Sequence, residues 1–161
     1  MSPIQNSKGN DPLAEIKAIA TQNGWTLDDT GDQVTLLVRG KCTDYRVIFT
    51  WIRNLEVFHL ACSLEINVPE FRRSEVQQLV SRINEQLWLG HFDLWMEDGT
   101  ILFRESIQLV GLIISSRQCK AMLGSALDVC ERYYPAFKFV IASGSANGAL
   151  EAYCFDTEGE P

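Results

Sequence analysis

Apolar side chains recur along this chain with two different periods, and the points where the period changes divide it into elements. Leu13, Ile16, Ile19 and Ala20 stand three or four apart, the spacing that places them on one side of a 3.6-residue helix. Asp11 is a good N-cap, Pro12 suits the first helical position, Glu15 suits the positive N-terminal end, and Asn23-Gly24 supplies a C-terminal cap. From Trp25 the period falls to two, the sign of strands. Trp25 to Asp28 reads as a short strand and Asp29 to Asp32 as a polar turn. Gln33 to Arg39 places Val34, Leu36 and Val38 on one side, and after a turn at Gly40 to Thr43 the stretch Asp44 to Ile52 alternates Tyr45, Val47, Phe49 and Trp51. A turn at Arg53-Asn54 leads to Glu56 to Leu64, with Phe58, Leu60, Cys62 and Leu64 on one side. Short turns between consecutive strands predict an antiparallel meander.

The helical period returns at Arg72, where Val76, Leu79, Val80, Ile83 and Leu87 form one face of a helix expected to run out at Trp88-Leu89-Gly90. A hairpin follows. Read as a two-residue turn, Asp98-Gly99 pairs Glu97 with Thr100, Met96 with Ile101, Trp95 with Leu102, Leu94 with Phe103 and Asp93 with Arg104. One face is then Phe92, Leu94, Met96, Ile101 and Phe103. The second strand extends to Leu109, and Gly111 marks its end or a bulge. Ser115 and Gln118 form a capping box before Cys119, Met122, Leu123, Ala126, Val129, Cys130 and Tyr133. Pro135 is expected to break or kink that helix, and Ser143-Gly144-Ser145 to cap a last one from Ala146 to Phe155. The fold class is α+β: an antiparallel sheet, meander plus C-terminal hairpin, packed with α-helices. Residues 1–10, without large apolar side chains apart from Met1 and Ile4, are expected to be disordered; residues 11–155 are expected to form one domain, and 156–161 an acidic tail.

Composition removes several classes of function. With 161 residues the chain can bury about 70% of its unfolded surface and needs no staple. A net charge of −7 and scattered basic residues, with Arg72-Arg73 the one basic pair, disfavour nucleic acid as a partner. Five widely spaced cysteines without a C-x-x-C point to free thiols in a reducing cytoplasm, with Cys62, Cys119 and Cys130 on apolar faces. No apolar run reaches the 18 residues of a membrane span, and residues 1–10 lack the pattern of a secretory leader.

Candidate chemistry is sparse. The two histidines, His59 and His91, lie in no nucleophile motif: His91 reads as a turn residue and His59 as a solvated strand residue. His59 and Cys62 are three apart in a strand, which turns them to opposite faces and denies them a shared zinc ion. The Ser143-Gly144-Ser145 loop lacks the lysine and the spacing of a phosphate loop. The reading is therefore a non-enzymatic protein with no catalytic residue, cofactor or metal. The alternative is a small-ligand binder or enzyme whose site is not recognisable from sequence.

Three strings resemble a known family: Asn84-Glu85-Gln86-Leu87-Trp88-Leu89-Gly90-His91-Phe92-Asp93-Leu94-Trp95, then Cys130-Glu131-Arg132-Tyr133-Tyr134-Pro135-Ala136-Phe137, and Glu158-Gly159-Glu160. They are similar to the YbjN-domain family of bacterial proteins, over roughly Pro12 to the C-terminus. The resemblance implies a fold like that of type III secretion chaperones, a homodimer, and a cytoplasmic regulatory or chaperone-like role toward an unidentified protein partner. Asn147-Gly148 departs from a stretch usually richer in Glu and Ala. No site residues are carried over. From the hairpin itself come the interface candidates Trp95 and Leu102, an apolar pair margined by Asp93 and Arg104, because a mixed strand face of that kind is only partly explained by a core.

Overall fold

The structure is a computed structural model, and it describes residues 11–154. The expected disordered segment 1–10 and acidic tail 156–161 lie outside the described residues. The elements run α1 (Pro12–Asn23), β1 (Thr26–Asp29), β2 (Gln33–Arg39), β3 (Asp44–Ile52), β4 (Val57–Asn67), α2 (Arg73–Asn84), β5 (His91–Leu94), β6 (Thr100–Gln108), α3 (Ser116–Ser143) and α4 (Ala146–Ala149). A wider turn of helix, Leu150–Cys154, continues α4. The strands form one antiparallel sheet in the order β1-β2-β3-β4-β6-β5. The fold is α+β as expected.

One face of the sheet makes the core. Val34, Leu36, Tyr45, Val47, Phe49, Phe58, Leu60, Cys62, Phe92 and Phe103 are fully buried there, against Leu13 and Ile16 of α1, Val76 and Leu79 of α2, and Cys130 and Phe137 of α3. Phe92 is the hub, with the rings of Phe103, Tyr133 and Phe137 edge-on at 5.3, 5.9 and 5.1 Å. Such contacts add about 0.5–1.5 kcal/mol each beyond area burial.

This packing explains the one large departure among the helices. Pro135 neither breaks nor ends α3, which runs for 28 residues through it. A proline inside a helix removes one backbone hydrogen bond and costs about 3 kcal/mol. Tyr133 and Phe137 flank it and both pack on Phe92, while Ala136 is fully buried, so the tertiary contacts on either side hold the helix continuous. The helix start is as read: the Ser115 hydroxyl accepts from the Gln118 amide at 3.0 Å.

Helix α2 stops earlier than its apolar pattern implies. Asn84 accepts from the Phe92 amide at 2.8 Å and donates to the Phe92 carbonyl at 3.0 Å, which ties the helix end to β5 and leaves residues 85–90 as a loop. Trp88 consequently stands 98% exposed. Gly90 closes that loop at φ 69°, with the Phe103 ring and the Arg104 carbonyl where a Cβ would sit, so both the backbone and the space require glycine.

A clamp of much longer range joins α3 to the β2–β3 turn. The Glu131 carboxylate accepts from the backbone amides of Lys41 at 2.8 Å and Cys42 at 3.2 Å. Burial opposes its charge, but the hydrogen bonds from Cys42 and Lys41 prevail and hold its carboxyl below the ordinary range. Burial, and then the Glu131 charge beside it, push the Tyr45 phenol up. The cysteines lie as their faces implied: Cys62, Cys119 and Cys130 are buried with free thiols, as is Cys154, while Cys42 is exposed. The hydrogen bond with Cys62, and then burial, push the Cys130 thiol up, away from the reactive thiolate.

Candidate functional site

On the opposite face of the sheet no helix is found among the described residues. Its outward positions across β2, β3, β4 and β6 line an open depression of about 470 Å³, to which no helical residue contributes. Ile48, Ala61 and Leu102 make the floor; Trp95, Arg46, Glu65, His59 and Arg104 stand around it. The register assembles these residues: Ile48 faces Ala61 between β3 and β4, and Ala61 faces Arg104 between β4 and β6. Leu102 is 6% exposed although no described helix covers it, and Trp95 beside it is 49% exposed.

The charged groups of this face are paired. Arg104 donates to Asp93 Oδ2 at 3.1 Å and, through Nε, to His59 Nε2 at 3.2 Å; His91 Nε2 lies 3.4 Å from the same Asp93 oxygen. Both histidines of the chain are thus gathered on one Arg–Asp pair. Burial, and then the charges of Arg104 and His91, hold the His59 imidazole below its ordinary pKa, so it is neutral at pH 7. The lone pair a general base would use is the one that accepts from Arg104. On the other side of the depression Arg46 lies 3.4 Å from Glu65. Glu65 reaches it from an irregularity in β4 between Ser63 and Asn67, where its backbone turns to φ 54° and its amide donates to the Ser63 hydroxyl at 3.1 Å.

The candidate residues are found on this face, with a corrected register. Leu94 pairs with Ile101, Phe92 with Phe103, Asp93 with Leu102 and His91 with Arg104, a slip of two positions from the two-residue turn. The connection is a four-residue loop, Met96 to Gly99, closed by Trp95 N–H to Thr100 O at 2.9 Å and Gly99 N–H to Trp95 O at 2.7 Å. Arg73 donates to the Met96 carbonyl at 2.8 Å and Val68 N–H to the Gly99 carbonyl at 2.8 Å, so residues 23 and 31 positions upstream fix the loop. A slip of two preserves the side to which each residue points. Trp95, Leu102, Asp93 and Arg104 therefore still share one face, but Trp95 lies diagonal to Leu102, and Asp93 meets Arg104 diagonally. Met96, expected on the core side, is exposed in the loop.

Sequence reasoning missed His59, Arg46 and Glu65 as members of this surface, and read His91 as a turn residue, whereas it opens β5. The alternation of β4 put His59 on the outer side, opposite buried Cys62 as parity required, but the adjacency of β4 to β6 is not a hairpin and leaves no local signature.

Comparison with known proteins decides the family. The sequence model of the YbjN family, described as "Putative bacterial sensory transduction regulator", matches residues 12–139. The chain belongs to this family. No curated protein sequence matches it. Among solved structures, a chain of the "Crystal Structure of the ExsC-ExsE Complex", a type III secretion chaperone complex, is similar with a TM-score of 0.51 at 17% identity. The match covers 74% of this chain and 88% of that one. The likeness establishes the fold: this YbjN domain is built like a type III secretion chaperone. No helix among the described residues is long and apolar enough to cross a membrane.

Proposed function

We propose that this YbjN domain is a cytoplasmic, non-enzymatic regulatory module that works as a homodimer and binds a segment of another protein on the open face of its sheet. The observation that carries this reading is the helix-free depression, with its apolar floor of Ile48, Ala61 and Leu102, its half-exposed Trp95, and its margin of paired charges. An apolar centre inside a polar rim is the anatomy of a protein contact. The family description and the chaperone fold support a regulatory, protein-binding role.

A small-ligand site would take a similar volume. It would also enclose its ligand, whereas this depression lies open along a sheet face and covers one side of whatever rests on it. A peptide laid across the strands fits that shape. Trp95 is the anchor: truncating a central tryptophan costs such contacts about 2 kcal/mol or more, roughly a thirty-fold rise in Kd.

The reading is tested by affinity capture from the native cytoplasm with the wild-type chain and with Leu102→Arg, compared at equal folded fraction. A protein recovered by the wild type and lost from the variant is the expected result. The same protein retained by the variant would contradict it.

A further inference from the structure

Strand β6 is longer than the neighbour that covers it. It spans nine residues, Thr100–Gln108, but β5 pairs with Ile101–Arg104 alone, so, among the described residues, 105–108 keep an open edge about 13 Å long on the β5 side. The hydrogen bonds show which groups lie on that edge. Trp95 N–H to Thr100 O on one side, and Leu109 N–H to Glu56 O on the other, fix the alternation: even-numbered residues of β6 direct their N–H and C=O toward β5, odd-numbered ones toward β4. Ser106 and Gln108 therefore present both backbone groups to the open edge.

Apolar side chains frame it. Trp88 and Leu89 precede β5 at the Arg104 end; Val110, Leu112 and Ile113 follow β6 at the other; Ile107 lies between, and all six are exposed. The opposite edge of the sheet, β1, is fully exposed too, but carries Asp28 and Asp29, with Lys17 bridging to Asp29, the charged protection usual for an edge strand. The β6 edge carries one charge, Glu105 at its start, half-buried on the helix-covered side with Leu60 opposite, and Ser106, Ile107 and Gln108 carry none. Six such side chains offer on the order of 500 Å² of apolar surface, at the upper end of what monomers leave open.

We propose that a second copy of this chain docks on this edge, pairing β6 with its counterpart antiparallel about a two-fold axis through Ile107. The inference rests on the homodimeric reading above and gives it a surface. The edge is self-complementary in this register. Ser106 of one copy meets Gln108 of the other, twice, which makes four backbone hydrogen bonds from groups that otherwise face water; Ile107 meets Ile107. Because the strands run antiparallel, the Trp88-Leu89 loop of each copy comes against Val110, Leu112 and Ile113 of the other. The chain also leaves the lane in time: Val110 at φ 38° and Gly111 at φ 75° turn it out after Leu109, clear of the partner's β5. A standard interface takes about 800 Å² per partner, which the strand pairing and this apolar margin together approach.

The test measures molar mass by light scattering for the wild type, Ser106→Pro, Trp88→Asp and Leu102→Arg, with melting curves for each. Wild type and Leu102→Arg are expected at twice the 18.2 kDa of the chain, the other two at 18.2 kDa and folded. Ser106→Pro removes an N–H that no described strand of the same chain uses. If it fails to fold, Trp88→Asp decides, since that side chain makes almost no internal contact. A covalent probe adds a positive arm: Ile107→Cys in a Cys42→Ser background should form a disulfide-linked dimer under mild oxidation, because facing residues at the axis lie about 4.5 Å apart between Cα atoms, and Trp95→Cys should not. A dimeric wild type that Leu102→Arg dissociates and Ser106→Pro and Trp88→Asp leave intact would overturn the edge while keeping the homodimer. A wild type that is monomeric at tens of micromolar would overturn both.

Discussion

The two faces of this sheet are made by the same strands yet follow different rules. The helix-covered face is filled by buried apolar side chains at every inward position of β2, β3 and β4, and it is held by the Phe92 cluster and the Glu131 clamp. The open face mixes Ile48, Ala61 and Leu102 with charged side chains, each matched to a partner: Arg46 with Glu65, Arg104 with Asp93. The difference separates stability from recognition. Substitutions on the first face should unfold the protein, and those on the second should leave it folded while changing what it binds.

The largest effect is expected at the hub. Phe92→Ala removes the ring on which Phe103, Tyr133 and Phe137 converge and should cost about 3–5 kcal/mol in urea-induced unfolding. A loss below about 1 kcal/mol would show that the proline-bearing stretch of α3 is held by something else. Next comes the clamp. Glu131→Gln should cost about 1 kcal/mol, since its amides can partly turn to water. The pH dependence carries a sign: the folded carboxyl titrates below its unfolded value near 4.3, so its stabilisation is present above that pH and is lost as pH falls through the folded value. The Glu131→Gln melting temperature should therefore fall less steeply in that acid window than the wild type's.

How much of this was legible follows the same division. The inward face could be read from single residues, because alternation in β2, β3 and β4 is a local property and the caps at Asp11, Gly24 and Ser115 depend on near neighbours. The hairpin register could not, because Arg73 and Val68 select a four-residue loop over the two-residue turn that Asp98-Gly99 favours locally. The faces survived the error because a slip of two keeps parity. The continuity of α3 through Pro135 was also hidden, since local propensity opposes it and only packing on Phe92 outweighs it. On the open face the hairpin disclosed Trp95, Leu102, Asp93 and Arg104. His59 joins them through the β4–β6 pairing, which connects segments some 45 residues apart.

Smaller effects sharpen the contrast on the open face. His59 has a lowered pKa in the folded protein, so its stabilisation is present above the unfolded value of about 6.5 and is lost as pH falls through the folded one. Between pH 7 and pH 5 the wild type should lose more melting temperature than His59→Gln, whose amide oxygen can still accept from Arg104. Equal losses would mean that this histidine plays no part in the acid response. The smallest stability change is expected from Trp95→Ala, within about 0.5 kcal/mol because half of the side chain already meets water. A loss above 2 kcal/mol would place Trp95 among the structural residues.

The central claim is that the open face meets another protein, and site-specific photo-cross-linking tests it most directly. A photoreactive phenylalanine analogue is placed at position 95, and as a control at the exposed position 138 on α3, and the cells are irradiated. The account predicts a discrete adduct with a protein other than this chain from position 95, absent from position 138 and abolished by Leu102→Arg in the same chain. An adduct from position 138 with none from position 95 would contradict it.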